Sequence, residues 1–155
     1  MADAGIIASH RARMFREMGQ VRPEMFESLR AGAERWLVDR LRSGEYVGWL
    51  ASAASSPDAI AGAGVQLRRA APHPNGKGGV AEGRHAIVIN VFTEPEWRRR
   101  GLGDALMREI LVWAKTERLD RLLLHASKEG RRLYERLGFV LTNEMRYGGD
   151  LSMEV

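Results

Sequence analysis

Apolar residues at helical spacing open the chain. A first helix is predicted from an Asp3 cap to about Met18, where Gly19 ends it. Pro23 suits the first turn of a second helix, which continues to about Arg42. In both segments the apolar residues fall at least partly on one face, so each helix is expected to pack that face on a core.

Extended segments follow the two helices. Residues 45–54 and 59–68 predict two strands, joined by a tight turn at residues 55–58. Residues 70–83 contain two prolines and several glycines and predict a loop. The run at residues 86–93 is apolar or β-branched almost throughout, which is typical of a central strand buried on both faces.

The last third of the chain continues this alternation of helix and strand. Apolar residues recur every fourth position from Leu102 to Ala114 and predict a third helix that packs one face on the sheet. Residues 121–126 predict a second buried strand, residues 127–137 a short helix, and residues 139–147 a last strand. The pattern therefore predicts one domain over residues 1–155, a mixed α/β sheet with helices on both faces.

Composition and charge narrow the functional classes. The chain has 155 residues, 45% of them hydrophobic, and no apolar run long enough to span a membrane. The start lacks the features of a signal peptide, so a cytoplasmic protein is expected. The absence of cysteine excludes disulfides, thiolate metal sites and a cysteine nucleophile. The net charge of +4 is carried mostly by arginine, and the arginine clusters at residues 98–100 and 131–132 suit a phosphate site better than a nucleic-acid surface.

A basic segment with two glycines follows the central strand. Pro95 ends the strand, and the sequence RRRGLG at residues 98–103 leads directly into the third helix. Unpaired N–H groups and the dipole at a helix N-terminus attract anions, and glycines let a ligand approach the backbone. The segment therefore predicts a phosphate-binding loop. A P-loop would need lysine followed by serine or threonine, and a dinucleotide loop would need a third glycine.

The basic segment resembles the coenzyme A loop of the GCN5-related N-acetyltransferases, the GNAT family. The shared pattern is arginine, two residues, glycine, one residue and glycine, placed after a central strand. A second block, LLLHAS at residues 122–127 and GRRLYERLGF at residues 130–139, looks like the family's next strand and second cofactor helix. The resemblance implies a mostly antiparallel sheet flanked by helices, acetyl-CoA as cosubstrate and no metal. A short strand normally precedes the family's first helix. Almost nothing precedes it here, so we expect that strand to be missing or the start to be placed late.

The resemblance also implies which residues bind acetyl-CoA. The pyrophosphate is expected on the loop N–H groups, with the Asp104 carboxylate pointing away from it. The pantetheine is expected to pair with backbone that the central strand leaves free as it separates from the next strand. Ser127 and Gly130 match cofactor positions of the second helix, although Ser127 equally suits a helix cap. The predicted cofactor-binding residues are Val91, Phe92, Thr93, Arg98, Arg99, Arg100, Gly101, Leu102, Gly103, Asp104, Ser127 and Gly130.

Two catalytic candidates follow from the same comparison. Tyr134 matches the family tyrosine beside the coenzyme sulfur, where a phenol can protonate the departing thiolate, and core packing is its alternative role. Asn90, the only polar residue inside the apolar run, could orient an amine or a water, or be satisfied at a bulge. The strand lacks the glutamate that some members use as a base, which leaves Glu94, His85 and His125 as alternative bases.

The sequence thus predicts an N-acetyltransferase in which an amine attacks acetyl-CoA directly, since no cysteine is present to carry the acetyl group. The amine, on a small molecule or a peptide, is not identified, and its pocket is expected from residues 10–45 and 70–83. A non-catalytic acyl-CoA binding or sensing module is the alternative. An open sheet edge at residues 45–54 further predicts a homodimer.

Overall fold

A computed structural model describes residues 2–55 and 57–148 of the chain. The chain divides into a first unit, Met1–His125, and a second unit, Ala126–Val155. The first unit holds a mostly antiparallel sheet flanked by helices, which confirms the predicted mixed α/β fold.

Three helices of the first unit agree with the predicted ones. They are α1 (Ala2–Glu17), α2 (Phe26–Ser43) and α3 (Leu102–Thr116), with 3-10 turns at Pro23–Met25 and Pro95–Trp97. Gly44 ends α2 in the left-handed conformation, with φ of 72°, which costs glycine little. The predicted cap is wrong, because Asp3 lies inside the first turn of α1. No helix in the described part of the chain is long and apolar enough to cross a membrane.

The strands of the first unit form one large and one small sheet. They are β1 (Tyr46–Ser52), β2 (Ala59–Arg69), β3 (His73–Pro74), β4 (Val80–Ala81), β5 (Arg84–Thr93) and β6 (Arg121–Leu124). The large sheet has the order β1-β2-β5-β6, in which β6 runs parallel to β5 and the other neighbours are antiparallel. The short pair β3–β4 lies in the predicted loop at residues 70–83. The predicted turn at residues 55–58 includes residue 56, which lies outside the described residues.

Helices cover both faces of the large sheet. Tyr46 and Trp49, three residues apart on β1, point to opposite faces. The Tyr46 ring packs edge-on against Trp36 of α2, with 6.1 Å between centroids, whereas Trp49 packs against Trp113 of α3 at 5.5 Å. The predicted face of α3 is confirmed, because Leu106, Ile110 and Ala114 are buried.

The core beneath α1 and α2 is built around Tyr46. Small residues of α1, Ala4 and Ala8, are fully buried there and let the helix approach the sheet closely. Tyr46 is only 2% exposed, and its ring extends along β1 and across Gly64 of β2. A Cβ atom on Gly64 would overlap the Tyr46 hydroxyl, so only glycine leaves room for this ring.

The second unit contains one described helix, α4 (Arg131–Arg136), which Gly138 follows with φ of 94°. The last strand predicted at residues 139–147 is wrong, since the structure has neither helix nor strand at residues 139–148. Apolar side chains beyond Phe139 are exposed, among them Val140 at 80% and Met145 at 94%. Alternating apolar residues make a strand only when a neighbouring strand completes the ladder, and the described residues supply none here.

The Tyr46–Gly64 contact predicts opposite effects for two glycine substitutions. Gly64→Ala should lower the free energy of unfolding by about 1–3 kcal/mol or more, because the ring must move from its site. Gly32→Ala, inside α2, should raise it by about 0.5–1 kcal/mol, because alanine favours helix and the nearest atom is a mobile arginine end at 3.8 Å. Urea unfolding of the two variants checks this, and a Gly64→Ala protein as stable as the wild type would contradict the packing.

Candidate functional site

An extra residue in β5 interrupts its pairing with β2. Gly62 pairs with Phe92 and Gly64 with Ile89, so one residue of β2 faces two residues of β5. Asn90 sits in this bulge with φ of 60°, a left-handed conformation that asparagine tolerates better than most residues. A bulge bends the strand that contains it, here at the seventh of the ten residues of β5.

Beyond the bulge, β5 has a free edge. Its parallel pairing with β6 ends at Val88, although β5 continues to Thr93. The Glu94 N–H donates to the Ile60 carbonyl of β2, so by alternation the peptide groups of Thr93 and Val91 face away from β2. An open edge of this kind is what the family resemblance implies beside the pantetheine.

The basic segment forms a tight loop between β5 and α3. Arg99 and Gly101 both have positive φ, 63° and 80°, and the strain at a non-glycine residue is typical of ligand sites. The first hydrogen bond of α3 runs from the Ala105 N–H to the Gly101 carbonyl, which leaves the N–H groups of residues 102–104 without helical acceptors. A Cβ atom on Gly101 would meet no protein atom within 4 Å, so the space over this loop is open.

The loop side chains are held by neighbours in different ways. Arg98 donates to the Thr93 carbonyl at 2.9 Å and to Glu17 of α1 at 2.6 Å, which ties the loop to the end of β5. Arg100 stacks over the Trp97 ring at 4.8 Å. Asp104 accepts a hydrogen bond from Arg108 one turn later, at 2.6 Å, so its carboxylate is directed along the helix.

The Asn90 amide is fully engaged inside the first unit. Its oxygen accepts a hydrogen bond from Arg11 Nη1 at 2.7 Å, and its nitrogen donates to the Tyr46 hydroxyl at 3.1 Å. Asn90 is 4% exposed, and burial raises the pKa of Tyr46 to about 12. Burial also lowers the pKa of Arg11, yet a guanidinium stays protonated at neutral pH. The three side chains form a polar chain between α1 and the sheet.

The three candidate bases lie in different environments. Both oxygens of Glu94 accept hydrogen bonds from Arg13, each at 2.5 Å, so the carboxylate is already engaged in a bidentate ion pair. His85 lies near the start of β5, far along the strand from Asn90, and burial lowers its pKa. His125 is exposed just beyond β6.

In the second unit, Ser127, Gly130 and Tyr134 lie around the start of α4. The Gly130 N–H donates to Ser127 Oγ at 3.1 Å, and Gly130 itself caps the helix. The Tyr134 ring packs edge-on against Phe139 at 6.0 Å. A Cβ atom on Gly130 would lie only 3.0 Å from the Tyr134 ring. Burial raises the pKa of Tyr134, which keeps its phenol protonated at neutral pH.

A cavity of about 590 Å³ lies in the first unit between the two N-terminal helices and the sheet. Its walls are mostly apolar, and its charged or titratable groups are basic. The lining residues are Arg11, Gln20, Val21, Met25, Ser28, Leu29, Gly32, Ala33, Trp36, Gln66, Arg68, Ile87, Ile89 and His125. Residues between 10 and 45 form most of this lining, whereas residues 70–83 do not contribute to it.

Sequence reasoning missed Arg11, Tyr46 and His10. His10 is 4% exposed, packs on Phe92 at 4.9 Å, and lies 3.7 Å from Glu94. A polar residue on the buried face of α1 is the one available signal for His10. Nothing in the local sequence indicates that Arg11 or Tyr46 would contact Asn90. Arg11 lies 79 positions from Asn90 along the chain, and Tyr46 lies 44 positions from it.

Comparison with known families agrees with this geometry. The sequence model of the acetyltransferase (GNAT) family matches residues 7–139, which confirms the resemblance stated above. No curated protein is detectably similar in sequence to the chain.

Solved structures share the fold along nearly the whole chain. A GCN5-related N-acetyltransferase from Ralstonia eutropha JMP134 superposes with a TM-score of 0.82 at 29% identity, covering 94% of this chain and 92% of that one. A Clostridium acetobutylicum protein, described as a predicted acetyltransferase with acetyl-CoA, gives a TM-score of 0.79 at 26% identity, covering 96% and 91%. Glucosamine-6-phosphate N-acetyltransferase from Arabidopsis thaliana shares the fold at 17% identity, with a TM-score of 0.61 and 94% of each chain covered.

The bulge predicts how substitutions of Asn90 affect stability. Asn90→Ala should lower the free energy of unfolding by about 2–4 kcal/mol, because Tyr46 and Arg11 lose buried partners and alanine dislikes a left-handed φ. Asn90→Asp should cost clearly less, because a carboxylate accepts from both neighbours and tolerates that φ. Urea unfolding measures both, and equal losses for the two variants would contradict the hydrogen-bonded bulge.

Proposed function

Because the chain belongs to the acetyltransferase (GNAT) family, we propose that residues 1–155 form one domain that transfers the acetyl group of acetyl-CoA to an amine. The observation that carries the proposal is the free edge of β5 from Ile89 to Thr93, which leads straight into the glycine loop and the N-terminus of α3. A pantetheine amide can pair with that edge while the pyrophosphate lies on the loop N–H groups.

The residues present fit coenzyme A in this position. The space over Gly101 is open, the N–H groups of Leu102, Gly103 and Asp104 have no helical acceptor, and the Asp104 carboxylate is held by Arg108. The edge groups of Val91 and Thr93 would hold the pantetheine, with the Thr93 carbonyl shared with Arg98. Ser127 and Gly130 are assigned to the cofactor from the family resemblance alone.

The reaction is a direct transfer. A neutral amine attacks the thioester carbonyl, the C–N bond forms, the C–S bond breaks, and the amine loses a proton. A backbone N–H of the β5 edge would stabilise the oxyanion, and the protonated phenol of Tyr134 would give its proton to the departing thiolate. Among the candidate bases we favour His125, because it lines the same cavity as Ile89 of β5, whereas Glu94 is held by Arg13.

In this proposal Asn90 does not orient the amine or a water, which is the catalytic role that the sequence suggests for it. Both ends of its amide are bonded to Arg11 and Tyr46, so we assign it the positioning of Arg11 and of the bulge.

Release of free thiol from acetyl-CoA in the presence of a panel of amines tests the activity. Thiol release that depends on the amine supports the transferase. Binding of acetyl-CoA without thiol release from any amine would instead favour a non-catalytic acyl-CoA module.

We also propose a homodimer that covers the outer edge of β1, because β1 pairs only with β2 within the described residues. Light scattering at tens of micromolar protein (roughly where weak pairs dissociate) should give the mass of two chains. A mass of one chain would contradict it.

The loop assignment predicts the effect of a side chain at Gly101. Gly101→Val should weaken acetyl-CoA binding by roughly tenfold or more, because the side chain enters the pyrophosphate path and hydrogen bonds to charged groups are lost. Gly44→Val is the matched control. Gly44 ends α2 with a similar φ, and a Cβ atom there would also meet no protein atom within 4 Å. Calorimetry should find full affinity in the control, and full affinity in a folded Gly101→Val protein would refute the loop.

The acid assignment predicts the effect of removing one hydroxyl. Tyr134→Phe keeps the ring against Phe139 but should lower turnover by roughly 10²–10⁴-fold, towards the lower value because a thiolate is a tolerable leaving group. Acetyl-CoA affinity should hardly change. The measurement is made at saturating substrates with chemistry rate-limiting. A loss in turnover of less than about threefold, far below the usual contribution of a positioned acid, would mean that Tyr134 only packs.

A further inference from the structure

The cavity beneath α1 and α2 has an unbalanced charge. The cations Arg11 and Arg68 line it, and none of the described residues in its wall is acidic. Its volume, about 590 Å³, lies within the usual range for small-molecule sites. A ligand that fills the cavity must therefore tolerate the positive charge of its wall or carry a negative group that pairs with it.

Arg11 is the cation with the strongest need of a partner. Its guanidinium is half-buried, donates a hydrogen bond to the neutral amide of Asn90 and lies 4.8 Å over the Phe15 ring, and no carboxylate in the described part of the chain pairs with it. Arg13, on the same helix, is matched by both oxygens of Glu94. A desolvated cation without an anion is unfavourable, and a planar fork of N–H groups matches a carboxylate best.

The rest of the cavity wall is apolar. Met25, Leu29 and Trp36 come from α2 and its approach, and Ile87 and Ile89 come from β5. Ile89 immediately precedes the bulge, and Arg11 touches Asn90 in that bulge. A carboxylate on Arg11 would therefore lie beside the free edge of β5, and an apolar side chain would extend towards Trp36.

We propose that the acceptor is a small amine that carries a carboxylate close to the nitrogen and an apolar side chain, as an apolar amino acid does, with Arg11 binding the carboxylate. This proposal rests on the proposed acetyl transfer for its chemistry, but the binding of the carboxylate can be measured without turnover. A diamine or another cationic acceptor would meet only positive charge in this cavity.

Matched acceptors test the proposal in the thiol-release assay. L-phenylalanine and L-leucine are compared with their amides, which keep the side chain and remove the negative charge. Amidation makes the amine less basic and leaves more of it neutral at pH 7, so amine reactivity alone favours the amides. We expect kcat/KM for the acids to exceed that for the amides by roughly 10- to 100-fold, the worth of a charge-assisted pair.

Three variants assign the preference to the cavity. Arg11→Met should reduce the acid-to-amide ratio to about 1, because it removes the positive charge that binds the carboxylate. Arg68→Gln changes an exposed arginine of the cavity lining and should reduce the ratio in part. Arg35→Gln is the matched control, an exposed arginine of α2 outside the cavity lining, and should leave the ratio unchanged. Thermal unfolding shows whether Arg11→Met is folded, and if it is not, Arg11→Lys replaces it and should lower the ratio by weakening the fork.

Calorimetry separates this inference from the proposed function. N-acetyl-L-phenylalanine and its amide are titrated into the protein with coenzyme A present, and the acid should bind more tightly in the wild type but not in the Arg11 variant. This discrimination without thiol release from any amine would refute the transferase and support the carboxylate site. Thiol release with amides or diamines at least as good as the acids, or an acid preference that survives in a folded Arg11 variant, would refute the carboxylate site alone.

Discussion

The structure depends most on the bulge at Asn90. One residue of β2 faces two residues of β5, and the extra residue is held in a left-handed conformation by a buried amide. A regular β5 would be free to pair with its neighbours along its length. With the bulge, pairing to β6 ends at Val88, and the outer half of β5 keeps free peptide groups beside the glycine loop. The open edge on which the proposed function rests thus begins where β6 ends, next to a local break in sheet geometry.

A buried polar chain keeps this break in place. Asn90 bonds to Tyr46 on the far strand of the sheet and to Arg11 on the first helix, so it links three elements that no local interaction would align. Buried polar groups are costly unless they are paired, and the chain satisfies the amide at both ends. Gly64 contributes by leaving space for the tyrosine ring. Packing, hydrogen bonding and the shape of the site are therefore coupled at one point.

Arginines of the first unit have different uses that follow from their partners. Arg13 and Arg98 each pair with a glutamate and fasten α1 to the end of β5 and to the loop. Arg11, two residues before Arg13 on α1, has only neutral partners, the Asn90 amide and the Phe15 ring, and lines the cavity. Ion pairs at the rim position the backbone, whereas a desolvated guanidinium without an anion is available to a ligand.

The sequence by itself determined the helices, most strands and the glycine loop. The spacing of Leu106, Ile110 and Ala114, the apolar run of β5 and the segment before α3 are local patterns, and local periodicity is enough to read them. The predicted strand at residues 139–147 is wrong because alternation alone cannot provide a partner strand. Only the tertiary structure decided where β5 bulges, that Asn90 meets residues 44 and 79 positions away, and that Arg11 enters a cavity without acidic residues. Those features depend on which distant segments come into contact, and a one-dimensional pattern holds no record of such contacts.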